Sequence, residues 1–287
     1  MIVNKLTLKS AGFPAPLRVI PSPPKILFHT GADLNELLQK PRVTIVGSRN
    51  VSPYGKQVTT ALAYKLAEQG VVIISGLALG VDSIAHQAAL EAGGLTIAVL
   101  PGPVEKIYPA THTQLAQQII AKGGALISEY PEGMPGLKQN FIARNRLMAG
   151  LAQAVVITEA AEKSGSLHTA QFALEQGKDV VAVPGNITSP GSVGTNNLLK
   201  AGAQPVTSYK DVLNILGLAE HKTSLQAVKG RNQLEQKILD LLLQGISDGE
   251  QLLKQSEIEI SLFNQTLTML EIGGKIRSLG ANHWAIY

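Results

Sequence analysis

From Arg42 onward the chain alternates short apolar runs with longer amphipathic stretches. Val43–Val46, Val71–Ile74, Leu95–Leu100, Ala125–Ser128, Ala154–Thr158 and Asp179–Val183 are rich in Val and Ile and apolar at successive positions. Runs of this kind predict strands buried on both faces. Helical spacing between them predicts helices from Ser52-Pro53 to Gln69, Val81 to Ala92, Thr111 to Lys122, Phe141 to Leu151 and Ser166 to Gln176. Two shorter helices, Thr195–Lys200 and Tyr209–Leu216, flank a last strand at Gln204–Thr207. Ser52-Pro53 reads as N-cap and first helical residue, Gly70 as the stop, and Asn140 as the N-cap before Phe141. Strands that alternate with helices need crossovers, so the fold class is α/β, a doubly wound, mostly parallel sheet. Ligands bind such sheets beyond the carboxyl ends of the strands. Those ends are Gly47-Ser48-Arg49, Ser75-Gly76, Gly102, Ser128-Glu129, Glu159 and Gly185.

The pattern divides the chain. Residues 1–40 read as a short lead-in, because Pro14, Pro16, Pro21, Pro23 and Pro24 prevent a long helix. Within them Lys25–Phe28 reads as a brief strand and Asp33 caps a helix ending near Lys40. Residues 41–216 form the α/β domain, 217–230 a linker, and 231–287 a small module. In that module helices are expected from Asn232 to Gln244, from a capping box at Ser247–Glu250 to Lys254, and from Ile258 to Ile272. Lys275–Leu279 and His283–Tyr287 then pair as a hairpin. Three helices and a hairpin are the layout of a winged helix, so a small C-terminal winged-helix-like domain is expected. Its third helix holds Glu259 and Glu271 and no Lys or Arg, which favours protein contact over reading a major groove.

Composition narrows the partners. The 287 residues are 45% hydrophobic and 16% charged, which implies a folded protein with a large core. No apolar run is long enough to span a membrane, and MIVNKLTLKS lacks a leader pattern, so a cytoplasmic protein is expected. The absence of cysteine excludes disulfides, thiolate catalysis and cysteine-based zinc sites. Net charge is +4, with +5 on residues 1–228 and −1 on residues 229–287. An anionic partner therefore belongs to the larger part.

One stretch concentrates that charge. Leu137–Arg146 carries Lys138, Arg144 and Arg146 around Phe141, and no acidic residue lies between Glu132 and Glu159. Cations at a helix N-terminus oppose the helix dipole by a few tenths of a kcal/mol each, roughly, and a bound phosphate removes that conflict. Phe141 reads either as buried core or as a flat face for a base. Gly47-Ser48-Arg49 and Ser164-Gly165-Ser166 precede helices, where free backbone N–H groups hold anions. No G-x-G-x-x-G follows a strand and no G-x-x-x-x-G-K-[ST] occurs. Asp82 and His86 stand four apart, as an acid/base pair or, more commonly, a loop anchor. His168 lies just inside a helix and reads as an anion contact or, more commonly, a structural residue. Glu159 and Glu129 at strand ends suit either hydrolysis or the orientation of Ser and Arg side chains. No metal-ligand spacing is present, and no cofactor or metal is expected.

Taken together, these motifs resemble the DprA/Smf family of DNA-processing proteins. The matching runs are Ile45-Val-Gly-Ser-Arg49 with Tyr54-Gly55, then Ser75–His86, Tyr108-Pro109 and His112. Ser128-Glu129, Phe141–Arg146, Ser164–Leu167 with Thr169-Ala170, Ala182–Gly185 and Gly194–Asn196 complete the series. The likeness covers roughly residues 13–216, and the C-terminal module looks like one that many members carry. Ile142 departs from a proline usual in the family, and the N-terminal helical domain of some members has no room here. The resemblance implies an extended Rossmann-like core and a non-catalytic binder of single-stranded DNA. Such proteins protect incoming strands during natural transformation, load RecA recombinase onto strands covered by single-strand-binding protein, and act as homodimers. By motif position it implies DNA contacts at Arg49, Lys138 and Phe141, with Arg144, Arg146, Gly47, Ser48 and the Ser164–Ser166 loop nearby. Two other classes compete. A nucleotide-processing Rossmann-like enzyme, similar to phosphoribohydrolases, would need Glu159 as its carboxylate, and the Pro-Gly-Gly-x-Gly-Thr run is missing. A transcription regulator would need a basic third helix in the small module.

Overall fold

In the computed structural model the apolar runs become strands whose side chains alternate between two apolar layers. Described are residues 2–134, 137–218, 230–280 and 282–286. The chain divides into two compact units, Met1–Ala219 and Glu220–Tyr287. The first opens with β1 (Asn4–Thr7), α1 (Ala15–Arg18), β2 (Ile26–Gly31) and α2 (Leu34–Gln39). The regular part follows as β3 (Arg42–Val46), α3 (Pro53–Glu68), β4 (Val72–Ser75), α4 (Val81–Glu91), β5 (Thr96–Val99), α5 (Thr113–Ala121) and β6 (Ala125–Ser128). It continues as α6 (Lys138–Leu151), β7 (Ala154–Ile157), α7 (Ser166–Glu175), β8 (Asp179–Ala182), α8 (Val193–Lys200), β9 (Gln204–Pro205) and α9 (Tyr209–Ile215).

Nine strands make one sheet in the order β1-β2-β6-β5-β4-β3-β7-β8-β9. From β6 to β9 every neighbouring pair is parallel. Val43, Ile45, Ala154 and Val156 enter one layer with Leu62 and Leu66 of α3 and Ala85 and Ala88 of α4. Ile74, Val99, Val155 and Ile157 enter the other with Leu147 and Met148 of α6 and Ala170 of α7. Each fully buried Val, Leu or Ile stabilises the fold by about 1.5–3 kcal/mol. Period-two alternation with both faces covered is why these strands read as unbroken apolar runs.

The opening residues differ from expectation. Residues 1–40 are not a lead-in, because they extend the sheet by two antiparallel strands. β2 pairs with β6, Phe28 opposite Ser128, and β1 pairs with β2, Lys5 opposite Phe28. The prolines fall in the connection between β1 and β2, where Phe13 and Leu17 still reach the core. The start of α6 also moves. α6 begins at Lys138 with Leu137 as N-cap, while Asn140 sits inside the first turn and donates its backbone N–H to Leu137.

The second unit contains α10 (Gln233–Leu243), α11 (Gly249–Ser256), α12 (Ile260–Ile272) and the hairpin of β10 (Ile276–Gly280) with β11 (His283–Ile286). Ile238, Leu252, Phe263, Leu267 and Leu270 form its core. The cap of α11 is Asp248, not Ser247, because the Asp248 carboxylate accepts the Gln251 N–H at 2.9 Å. Of the expected linker, residues 219–229 lie outside the described residues.

Candidate functional site

The sheet order reverses between β3 and β7. From β3 the chain steps outward through β4, β5 and β6, then returns to β7 on the other side of β3. Loops leaving the two strands diverge there and open a crevice beyond the carboxyl ends. A cleft of about 660 Å³ occupies this place. Gly47, Ser48 and Arg49 line it from the β3 loop, Lys138 and Phe141 from α6, and Ser164, Gly165 and Ser166 from the start of α7.

Phe141 is half-buried and lies at the cleft wall, which excludes the core reading. Its ring packs edge-on against Tyr108, with centroids 5.6 Å apart and planes at 77°. The Arg49 guanidinium lies 4.9 Å from the ring centroid, a cation–π contact. Arg49 and Lys138 are both exposed. In the α7 loop the Ser164 and Ser166 hydroxyls are 2.8 Å apart, and Ser166 is buried at the helix entrance.

Arg144 and Arg146 depart from their expected role. Arg144 also lines the cleft, but it is only 3% exposed. Its Nη1 donates to the Gly76 carbonyl at 2.6 Å and to the Val99 carbonyl. Burial pulls its pKa down to about 10, against the opposing charge of Asp82. Arg146 turns away and forms a two-pronged ion pair with Glu129, both bonds 2.7 Å, while its Nε donates to Ser22. Both guanidiniums are thus spent on backbone carbonyls and a carboxylate, one on each of two sides of α6, since residues two apart point in nearly opposite directions.

Asp82 and His86 do not pair. The Asp82 carboxylate accepts the N–H groups of Gly76 and Ala78, at 3.1 and 3.4 Å, and so anchors the loop after β4. Burial raises its pKa, opposed by Arg144. His86 is fully buried, with Nδ1 2.6 Å from Thr96 Oγ1, whose own hydrogen goes to Ile73. Burial, with Arg144 and His112 nearby, lowers its pKa to about 3, so the ring is neutral. In the same loop Leu77 holds a left-handed φ of 56°, an uncommon state for a branched residue, and His112 bonds its carbonyl at 2.8 Å.

Glu159 is buried behind the β3 loop and accepts from the Ser52 backbone N–H at 3.0 Å and from the Ser52 hydroxyl. His168 is exposed on α7. Among the described residues no cluster of three His, Asp or Glu side chains could hold a metal, and no helix is long and apolar enough to cross a membrane. Lys163 and Tyr108 line the cleft too and were not among the expected contacts. The signal for Lys163 was a cation directly before the Ser-Gly-Ser loop. Tyr108 sat in a matching motif with nothing to aim it at Phe141.

The chain matches the profile of DNA recombination-mediator protein A over residues 4–217. The DNA processing protein DprA of Bacillus subtilis is 40% identical over 214 residues, which is 75% of this chain and 71% of that protein. Protein Smf of Escherichia coli is 46% identical over 180 residues, 63% of this chain and 48% of that protein. This chain therefore spans about half the length of the second relative. Among solved structures, DNA processing protein A of Streptococcus pneumoniae superimposes with a TM-score of 0.69 at 40% identity, covering 74% of this chain and 73% of that one. That of Helicobacter pylori, a structure concerned with its single-stranded DNA binding mode, gives 0.66 at 37% identity over 75% of this chain and 95% of that one. Matched along the whole α/β unit in both sequence and fold, this chain belongs to the DNA recombination-mediator protein A family, the DprA/Smf DNA-processing proteins.

Proposed function

We propose that this protein binds single-stranded DNA in the cleft at the sheet's switch point. The observation that carries the reading is the grouping of one half-buried aromatic, Phe141, with two exposed cations, Arg49 and Lys138, on a single wall. An aromatic face takes any base, and cations take backbone phosphates, so binding needs no base-edge readout. Gly47, Ser48 and Ser164–Ser166 supply backbone N–H groups and hydroxyls for further phosphates. In the free protein Arg49 covers the ring, and an arriving base displaces it toward a phosphate.

On this reading the protein protects incoming strands and hands them to RecA, with single-strand-binding protein as the competitor, and it works as a homodimer. These partners rest on the family resemblance. The activity makes and breaks no covalent bond. The hydrolase alternative is weakened because Glu159, its required carboxylate, is held by Ser52. The regulator alternative is weakened because α12 carries no Lys or Arg.

The test is binding of labelled single-stranded and duplex oligonucleotides of equal length at two salt concentrations. A salt-sensitive preference for single strands is expected. Equal binding to both, or none, sinks the reading and makes nucleotide turnover the next assay.

A further inference from the structure

A buried carboxylate beside an anion-binding cleft is electrostatically out of place, since it repels the phosphates that the cleft is proposed to hold. Glu159 is such a group, at 4% exposure. Its bonds give the reason. Its backbone carbonyl accepts the Ser48 N–H at 2.8 Å. Its side chain accepts the Ser52 N–H at 3.0 Å and the Ser52 hydroxyl. Ser52 Oγ in turn accepts the Gly55 N–H at 3.1 Å, as the N-cap of α3. One residue therefore grips both feet of the loop from Ser48 to Ser52, and Arg49 stands within that loop.

Two glycines make room for Glu159 in this position. A Cβ on Gly55 would lie 2.5 Å from Glu159 Oε2, and one on Gly47 would lie 2.7 Å from the Glu159 carbonyl. The loop is also held from the far side, where Ser48 O accepts the Val81 N–H at 3.1 Å. We infer that Glu159 is a positioning residue for DNA binding, acting through Ser52 to hold the Arg49 loop against Phe141. The inference rests on the proposed cleft. It assigns Glu159 geometry and not charge, which sets it apart from a catalytic carboxylate.

That distinction is testable, because a glutamine at 159 reproduces the clamp. Its amide oxygen accepts the Ser52 N–H, and its amide N–H donates to the free lone pair of Ser52 Oγ. An alanine reproduces neither bond. The experiment titrates a fluorescein-labelled single-stranded oligodeoxynucleotide with the full chain and its variants, with circular dichroism as the folding check. Glu159→Ala is expected to weaken binding about tenfold, and Glu159→Gln to stay within about twofold of the parent. In an Arg49→Ala background Glu159→Ala should cost little more, since the two act as one unit. Full additivity of the two changes, or a glutamine variant as weak as the alanine one, overturns the inference. If Glu159→Ala does not fold, Ser52→Ala decides. An Arg49-dependent loss supports the clamp, and unchanged affinity overturns it. If Arg49→Ala itself binds like the parent, it is the cleft reading that has failed, and the inference falls with it.

Discussion

The rim and the floor of the cleft carry the same kind of side chain to opposite ends. Arg49 and Lys138 on the rim are exposed. Arg144 on the floor, and Arg146 behind it, are satisfied by Gly76, Val99, Ser22 and Glu129. Lys138 and Arg144 lie in one helix, yet one is exposed at the cleft and the other braces the loop after β4. A cation in a basic stretch is therefore a DNA contact only if the protein leaves its charge unspent. The floor builds the cleft, and on the proposed reading the rim is what a strand meets.

The largest effect should come from breaking the floor. Arg144→Met leaves two buried carbonyls without a donor and Asp82 without its neighbouring cation. About 3 kcal/mol of stability should be lost, read by urea unfolding. A variant as stable as the parent that merely binds DNA poorly would erase the distinction between rim and floor.

Acid should act next, through the buried His86 near Arg144. His86 has a folded pKa of about 3, below its unfolded value of 6.5, so the unfolded chain takes up the proton first. Its contribution is complete above pH 6.5 and is lost as pH falls from there toward 3. The slope approaches about 1.4 kcal/mol per pH unit within that window. Melting temperature against pH for the parent and for His86→Gln would show it, and parallel curves would refute it.

The rim variants should act on binding alone. Phe141→Ala should cost about 1–3 kcal/mol of single-strand affinity, the worth of one stacked base, with little change in melting temperature. Lys138→Ala should do less, lowering the slope of log affinity against log salt by about one unit or less. Smallest of all, removal of residues 229–287 should leave affinity for single strands unchanged, and a large loss there would move the site out of the cleft.

The parallel part of the fold was legible because its strands are mostly apolar on both faces and end in Gly- or Ser-rich loops. β1 was not, since NKLT is apolar only at Leu6, and β2 was read only as an isolated run at Lys25–Phe28, because the prolines before it hid an edge that only pairing with β6 reveals. The start of α6 was misplaced because Asn140 is a good capping type, while Leu137 takes the cap with no side-chain bond. The β3, α6 and α7 segments that loop position grouped all line one cleft, while Arg146 does not reach it. What composition could not convey was direction. Arg144 and Lys138 look alike in the chain, and only the carbonyls of Gly76 and Val99 tell them apart.

Gly76 carries one more consequence, for how this protein can vary. A Cβ placed there would run into the Arg144 guanidinium. The two positions are 68 apart in the chain, yet neither can change freely while the other stays. Gly76→Ala should therefore displace Arg144 from the Gly76 and Val99 carbonyls, and in that background Arg144→Met should cost less stability than it does in the parent.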